Sequence, residues 1–168
     1  MSDLNQINTN LTKILDETKA RVLKSLAIQG EISIRANFDA GGRPPWTPRK
    51  HISKRQRGTN ILVISGHMKN VSGTVNLGES CVLLKTDPRA RPYARIQQEG
   101  GIIQMPARTL RFRRTKGRLL FAGARHKRIE KETVSHPYTI TIPARPYMII
   151  PPEDFPRITT AIQTAAKV

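Results

Sequence analysis

Apolar residues recur every three or four positions through most of residues 3–37, with Lys, Asp, Glu and Asn between them. The apolar positions are Leu4, Ile7, Leu11, Ile14, Leu15, Val22, Leu26 and Ile32. That spacing places apolar side chains along one face of an α-helix. The pattern predicts one long N-terminal helix, or two helices with a break at residues 16–18.

The periodicity stops at residues 38–60. Glycine and proline are dense between residues 38 and 48, and the basic stretch after residue 48 contains no acid. Proline cannot donate a backbone hydrogen bond, so this composition excludes regular helix and central strand. We expect an extended, Gly/Pro-rich basic loop across residues 38–60.

Strand-like patterns follow. Residues 61–64 are all apolar and predict a strand, after which Ser65 is placed to cap a short helix. Residues 73–77 and 81–86, separated by Gly78-Glu79, predict a hairpin. Residues 92–99 predict one or two helical turns that end at Gly100-Gly101.

The last third of the chain predicts more strands and a final helix. Residues 109–113 and 118–121 flank a basic turn that contains Gly117, so a hairpin with a cationic tip is expected within a basic region at residues 105–135. Residues 138–142 alternate as in a strand. A helix runs from about Pro152, with Pro156 in its first turn.

This order of elements predicts an α+β fold. It comprises an N-terminal helix (or two), a central, mostly antiparallel sheet with a short internal helix and long basic loops, and a C-terminal helix. The 168 residues are the usual size of one domain, so residues 1–168 are expected to form a single domain.

The charge is strongly positive. Lys and Arg total 29 against 12 Asp and Glu, a formal net charge of +17. Such an excess causes self-repulsion and indicates an anionic partner, nucleic acid first and an acidic protein surface second. No apolar run approaches the ~20 residues of a membrane span, so no membrane partner is expected.

Candidate chemistry is sparse. His51, His67, His126 and His136 lie at no metal-ligand spacing with another His or Cys. The Gly-rich segment at residues 41–45 includes two prolines, which lack the N–H donors of a phosphate-binding loop. The single cysteine, Cys81, lies in an apolar run and is expected to be buried. We therefore predict no enzyme activity, no catalytic residues, no metal site and no cofactor.

The basic region is the stronger candidate for function. Strand alternation places Arg111 and Arg113 on one face and Phe112 on the other, which suits contact with phosphates. Pairing with acidic neighbours in an assembly and a solvated loop are the alternatives. The candidate contact residues are Arg108, Arg111, Arg113, Arg114, Lys116, Arg118, Arg125, Lys127 and Arg128.

Four ordered segments resemble the phage virion morphogenesis family, which includes tail-completion proteins of contractile-tailed phages. They are the Gly-Gly…Trp-Thr-Pro loop at residues 38–48, the Ser-Gly-His-Met segment at residues 61–68, Tyr-Ala-Arg-Ile-Gln-Gln-Glu-Gly-Gly at residues 93–101 and Ile-Pro-Ala-Arg-Pro-Tyr-Met at residues 142–148. The landmark residues are Gly41, Gly42, Gly66, Tyr93, Gly100, Gly101, Pro143, Arg145 and Pro146.

The resemblance implies a structural virion protein at the neck or head-proximal tail end, made in the host cytoplasm, that completes the tail and joins it to the filled head. It implies a homo-oligomeric ring, taken as hexameric, with connector, terminator and tail-tube proteins as partners and passing genomic DNA as a non-specific contact. A sequence-independent nucleic-acid-binding protein is the alternative.

The loop at residues 38–60 is expected to reach a neighbouring subunit in such a ring. Its candidate interface residues are Phe38, Arg43, Trp46, Arg49, Lys50, Lys54, Arg55 and Arg57. For Trp46 an ordinary place in the core of its own domain is the alternative.

Overall fold

The structure, a computed structural model, describes residues 2–49, 58 and 60–167, with the backbone alone for residues 2 and 3. The candidate interface residues Lys50, Lys54, Arg55 and Arg57 lie outside the described residues. No helix in the part of the chain that is described is long and apolar enough to cross a membrane.

The chain divides into two compact units, one formed by Met1–Glu99 with Ala144–Val168 and the other by Gly100–Pro143. Helices flank antiparallel strands, which confirms the predicted α+β class. The expectation that residues 1–168 act as a single domain stays a prediction.

The described part of the first unit contains three α-helices and one hairpin. They are α1 (Ser2–Asp39), β1 (Val71–Asn76), β2 (Cys81–Thr86), α2 (Arg91–Glu99) and α3 (Phe155–Ala166). Short 3-10 turns at Pro88–Ala90 and Pro152–Asp154 lead into α2 and α3. Helix α1 is continuous, so the two-helix alternative is wrong. Residues 16–18 are polar, with Asp16 and Glu17 exposed and Thr18 half-buried, and they do not interrupt the helix.

Helix α1 ends in a glycine motif. Gly41 has a φ of +73°, and the N–H of Gly42 donates to the carbonyl oxygen of Asn37 at 2.7 Å. Glycine adopts this left-handed conformation at little cost, which explains why the helix stops there. The motif turns the chain towards Trp46, whose N–H donates to the carbonyl of Gly41 at 2.9 Å.

The β1–β2 hairpin packs against the C-terminal half of α1. The strands pair antiparallel from Val71 with Thr86 to Asn76 with Cys81, as predicted from the sequence. A Cβ atom at Gly73 would lie 2.9 Å from the Cβ of Ala27 in α1, so the helix approaches this strand at its glycine. The predicted burial of Cys81 is wrong, because its side chain lies at the exposed end of the hairpin.

The second unit consists of five antiparallel strands in two small sheets. The strands are β3 (Gly101–Met105), β4 (Thr109–Thr115), β5 (Arg118–Phe121), β6 (Lys131–Val134) and β7 (Tyr138–Ile142). Strand β3 pairs with β7, and β4 lies between β5 and β6. The antiparallel pairing was predicted, but the described strands form three small sheets rather than one central sheet.

The strand predicted at residues 61–64 is wrong. This segment forms turns in which Leu62 has a φ of +65°, and turns continue through Lys69 in place of the short helix predicted after Ser65. Ile61, Leu62 and Val63 pack against the core without strand pairing. Their apolar character therefore reflects burial and not a sheet.

Candidate functional site

The landmark segments that lie in the first unit meet in one hydrophobic cluster. Its aromatic centre is Phe38, whose ring lies 5.5 Å from that of Trp46 and 5.4 Å from that of Tyr147 between centroids. Met68 is buried beside them, and Tyr93 packs on the outside. These segments therefore build a shared core.

Gly42 is required by this packing. Its φ is +108°, and a Cβ atom there would lie 2.5 Å from the Cδ1 and Cγ atoms of Trp46. The Trp46 ring thus occupies the space that any side chain at position 42 would need. Its Nε1 donates to the carbonyl oxygen of Pro146 at 3.1 Å, which ties the Gly-Gly loop to the Pro-Ala-Arg-Pro segment.

Two glutamines of α2 hold the same segment. Gln98 Oε1 accepts hydrogen bonds from the backbone N–H groups of Tyr147 at 2.9 Å and Met148 at 3.0 Å. Arg145 donates to Gln97 Oε1 at 3.2 Å and to the carbonyl oxygen of Thr47 at 3.3 Å. Burial lowers the pKa of Arg145 from its ordinary value, and the charge of Arg49 adds to that effect.

Arg43 forms a second network, on the outer side of the core. Its guanidinium donates to Asp154 Oδ2 at 2.8 Å, Glu153 Oε1 at 2.9 Å and the carbonyl oxygen of Ser33 at 2.8 Å. The hydrogen bond from Arg43 lowers the pKa of Asp154, and the same bond raises the pKa of Arg43. The network ties the loop after α1 to the start of α3.

Asn37 joins this network to the core. Its Oδ1 accepts from Arg43 Nε at 2.9 Å, and its Nδ2 donates to the carbonyl oxygens of Tyr147 at 2.9 Å and Ile149 at 2.8 Å. The side chain is completely buried and uses its acceptor and both donors. Sequence reasoning missed Asn37 and Asp154, because nothing in a helix pattern marks a polar residue that satisfies distant backbone groups.

Among the candidate interface residues, Phe38 and Trp46 thus contribute to the core of their own unit. Phe38 and Trp46 are buried, which favours the alternative that Trp46 packs within its own domain. Arg43 is engaged by acids of the same chain. Arg49 is half-buried and donates to the carbonyl oxygen of Asn60.

The predicted basic hairpin is confirmed as β4 and β5. Lys116 and Gly117 connect the strands with φ values of 50° and 75°. Two successive positive φ angles define the tight turn whose twist matches antiparallel strands. Thr115 pairs with Arg118, so the turn places Lys116 at the tip.

Some of the candidate arginines are paired within the unit. Arg111 Nε lies 2.9 Å from Glu132 Oε1, and Arg114 Nε lies 2.9 Å from Glu130 Oε1. These pairs are exposed and contribute little to stability. Arg113 is half-buried, and its Nη1 donates to Thr115 Oγ1 at 3.0 Å, while its buried Nε has no hydrogen-bond partner among the described residues.

The remaining candidate cations have no acidic partner within 4.0 Å among residues 2–49, 58 and 60–167. They are Arg108, Lys116, Arg118, Arg125, Lys127 and Arg128, and all six are exposed. Residues 100–143 hold ten Lys and Arg against two Glu, a net charge of +8. This unit is therefore a concentrated positive surface, which we call the cationic unit.

Phe112 and Phe121 lie on the opposite face of β4 and β5 from Arg111 and Arg113. Their ring centroids are 4.8 Å apart, and their Cα atoms are cross-strand partners. The pair supports the hairpin from its apolar face. Phe121 is 69% exposed, so this apolar face is only partly covered.

In the described part of the chain His67 lies 3.7 Å from Asp87, and Cys81 lies 3.6 Å from Glu79. No group of three or more that could hold a metal ion occurs among the described residues. The least exposed carboxylate of the ion pairs, Asp154, is engaged by Arg43 and Ser33. The described geometry supports binding through charge.

The described residues form a small, basic α+β protein in which landmark residues of the first unit build a core and exposed cations are densest in residues 100–143. A model of the phage virion morphogenesis family matches residues 2–167, nearly the whole chain. The protein belongs to the phage virion morphogenesis family, and its role is in the building of a phage particle.

A curated relative comes from a prophage. The chain is 27% identical over 165 residues to a protein of Haemophilus influenzae named Mu-like prophage FluMu G protein 2, and the match covers 97% of this chain and 91% of that protein. No solved structure matches the chain.

Proposed function

We propose that this protein completes the phage tail and joins it to the DNA-filled head, as a structural component of the neck or head-proximal tail end. The observation that carries the proposal is the family match over residues 2–167. The Mu-like prophage relative supports the same role. In this proposal the protein has no enzymatic activity.

The protein acts as one subunit of a homo-oligomeric ring, which we take to be hexameric. Its neighbours are the other neck and tail proteins, namely the connector, the terminator and the tail tube. The net charge of +8 in the cationic unit supports contact with an acidic protein ring or with genomic DNA that passes through the lumen.

Charge also supplies an order of assembly. Copies with a net charge of +17 repel one another while free in the host cytoplasm. An acidic partner ring neutralises the cationic unit and so lowers the electrostatic cost of bringing copies together. The closed ring is therefore expected to form on the tail or neck, where this neutralisation takes place.

The position is tested by negative-stain electron microscopy of a lysate from a phage with an early stop codon in this gene. We expect DNA-filled heads lying apart from tails of normal length, and a plasmid copy of the gene should restore joined particles. Tails of abnormal length would assign the protein to tail termination instead. Fully joined, infectious particles would contradict the proposal.

Sequence-independent binding of nucleic acid is the second candidate, favoured by the six exposed cations of the cationic unit that have no acidic partner among the described residues. Binding of duplex DNA by phosphate contacts releases counterions, so log affinity falls linearly with log salt. Tight binding at physiological salt, together with normal joining in the stop mutant, would favour this function over the first.

A further inference from the structure

The N-terminal half of α1 bears an apolar stripe that no described residue covers. Its five side chains are exposed by about half or more: Leu4 71%, Ile7 53%, Leu11 53%, Ile14 46% and Leu15 68%. Single exposed leucines are common on protein surfaces, but a contiguous apolar face marks an interaction site. We call residues 4–15 the α1 stripe.

The α1 stripe is not an exposed extension of the core-facing side of the helix. Twelve residues separate Leu11 from Leu23, which is buried, and twelve residues turn a helix by about 120° beyond whole turns. Ala27 and Ile34 are buried near the Leu23 side. The helix therefore has two apolar faces, and the α1 stripe does not lie on the face that bears Leu23, Ala27 and Ile34.

Further along α1, the same face as the stripe is covered by another helix. Gln29 follows Leu11 by roughly five full turns and accepts a hydrogen bond from Arg157 of α3. Ser25 Oγ donates to the carbonyl oxygen of Ala161 at 3.3 Å. Helix α3 thus runs antiparallel along this face, which continues uncovered towards the N-terminus of α1. A helix is the element that fits the uncovered part.

The spacing of the α1 stripe is that of a helix bundle. Leu4, Ile7, Leu11 and Ile14 follow one another by three, four and three residues, which is the alternation of a coiled-coil seam. Leucine occupies the first position of each heptad and isoleucine the fourth. In parallel helices this choice favours assemblies of more than two helices.

Charge favours a second copy of this chain over an acidic partner as the occupant. Residues 4–15 contain one charged side chain, Lys13, in a protein of net charge +17. Copies can therefore meet through the stripe with little of the repulsion that the cationic unit imposes. An acidic protein or nucleic acid would instead be drawn to the cationic unit, because the stripe offers it no pairing.

The size of the α1 stripe also favours more than two copies. Twelve residues of helix are about 18 Å long. The area of one helix face over that length falls well short of the roughly 800 Å² that each partner of a stable dimer buries. In a bundle of three or more helices each stripe meets two neighbours, and α1 is already ordered by the packing of its C-terminal half.

We propose that residues 4–15 of α1 form a self-association surface, through which more than two copies of this chain pack their helices side by side. The contact is concentration-dependent and becomes stronger as salt screens the repulsion between copies. This salt response is opposite to that of nucleic-acid binding. The inference depends on the stripe alone, and not on the proposed position in the virion.

Sedimentation velocity of the full-length protein over a range of concentrations tests the proposal. The wild type should reach a mass above that of a dimer, and the triple variant Ile7→Gln, Leu11→Gln, Ile14→Gln should shift the association midpoint roughly a hundredfold or more to higher concentration. Glutamine has a helix propensity similar to that of leucine and above that of isoleucine, so α1 should stay helical in the variant. Leu83→Gln, at a β2 side chain that is 52% exposed, should leave the midpoint unchanged.

Cross-linking provides a second arm that does not depend on a destabilising variant. On a Cys81→Ser background, Leu11→Cys should be linked between copies by a short bis-maleimide, whereas Lys13→Cys, on the opposite side of the helix, should not. A wild type that stays monomeric at every concentration and salt would overturn the proposal. So would equal cross-linking at the two positions, or a triple variant that associates like the wild type.

These outcomes separate the α1 stripe from the proposed function. A protein that stays monomeric in isolation yet restores joined particles would overturn the helix bundle and leave the joining role intact. If the protein associates through the α1 stripe but heads and tails join normally without the protein, the helix bundle stands and the joining role is overturned.

Discussion

Gly42 is the residue whose replacement the structure constrains most sharply. A methyl group there would lie 2.5 Å from two ring atoms of Trp46 and 2.7 Å from the carbonyl oxygen of Pro44, at a φ of +108°. Because both the backbone conformation and the space oppose a side chain, Gly42→Ala should lower the free energy of unfolding by roughly 2–4 kcal/mol.

Gly41→Ala is the matched control for this change. Gly41 also has a positive φ, +73°, but its added Cβ meets no atom within 4 Å. This variant should lose only about 1 kcal/mol, the cost of a left-handed residue that bears a side chain. Urea unfolding of the two variants measures the difference, and equal losses would contradict the proposed role of the Trp46 ring.

Asp154 should make stability depend on pH. The hydrogen bond from Arg43 lowers its pKa in the folded protein, so its stabilising effect is present above the unfolded pKa of about 3.9 and is lost as the pH falls through the folded value. Asp154→Asn should therefore cost about 1–2 kcal/mol at neutral pH, and the difference from the wild type should shrink below about pH 4.

Glu99→Gln is the control for that experiment. Glu99 pairs with Arg95 at 2.9 Å, but both side chains are largely exposed. Removing an exposed pair of this kind should leave the free energy of unfolding unchanged at each pH. A difference between wild type and Asp154→Asn that stays constant from neutral to acid pH would contradict the ion pair with Arg43.

Single-residue patterns reveal which positions are unusual but not what they touch in the fold. The Gly-Gly, Trp and Pro-Ala-Arg-Pro motifs can be recognised in the sequence, and the structure shows that Gly42, Trp46 and Pro146 meet. Trp46 and Pro146 are 100 positions apart, a separation that local rules do not bridge. The role of Asn37 could not be predicted for the same reason, because its carbonyl partners are more than 100 positions away.

At the scale of elements, hydrophobic periodicity predicted the structure where the chain is regular. Helix α1, the β1–β2 hairpin and the β4–β5 hairpin all follow from local pattern and turn residues. The strand predicted at residues 61–64 failed because four apolar residues also suit a buried turn. Strands β3 and β6 were missed because each is short and pairs with a strand distant in sequence.

The β4–β5 hairpin can be tested as an electrostatic element. Lys116 and Arg118 of this hairpin have no acidic partner among the described residues, and replacing them with glutamine should reduce the salt slope of duplex DNA binding by about 0.9 for each phosphate that the variant no longer neutralises. Arg111→Gln and Arg114→Gln remove cations that already pair with Glu132 and Glu130, and should change the slope less. Filter binding over a salt series measures both, and identical slopes in all proteins would contradict phosphate binding by the hairpin.

At the scale of the whole molecule, charge and apolar surface are separated along the chain. The cationic unit carries a net charge of +8, whereas residues 4–15 of the α1 stripe carry one charged side chain. Such a separation suits a protein that attracts acidic partners through one part and its own copies through another. Composition predicts an anionic partner. Only the packing of α3 against α1 shows that the α1 stripe is left exposed.

Joining activity itself is the most direct test of the proposed role. DNA-filled heads and free tails are purified from the stop-mutant lysate and mixed with increasing amounts of the purified full-length protein, and joined infectious particles are counted. We predict that wild-type protein raises the number of infectious particles in proportion to the amount added. Heads and tails that join equally well without the protein, or that stay apart at every concentration of it, would contradict the joining role.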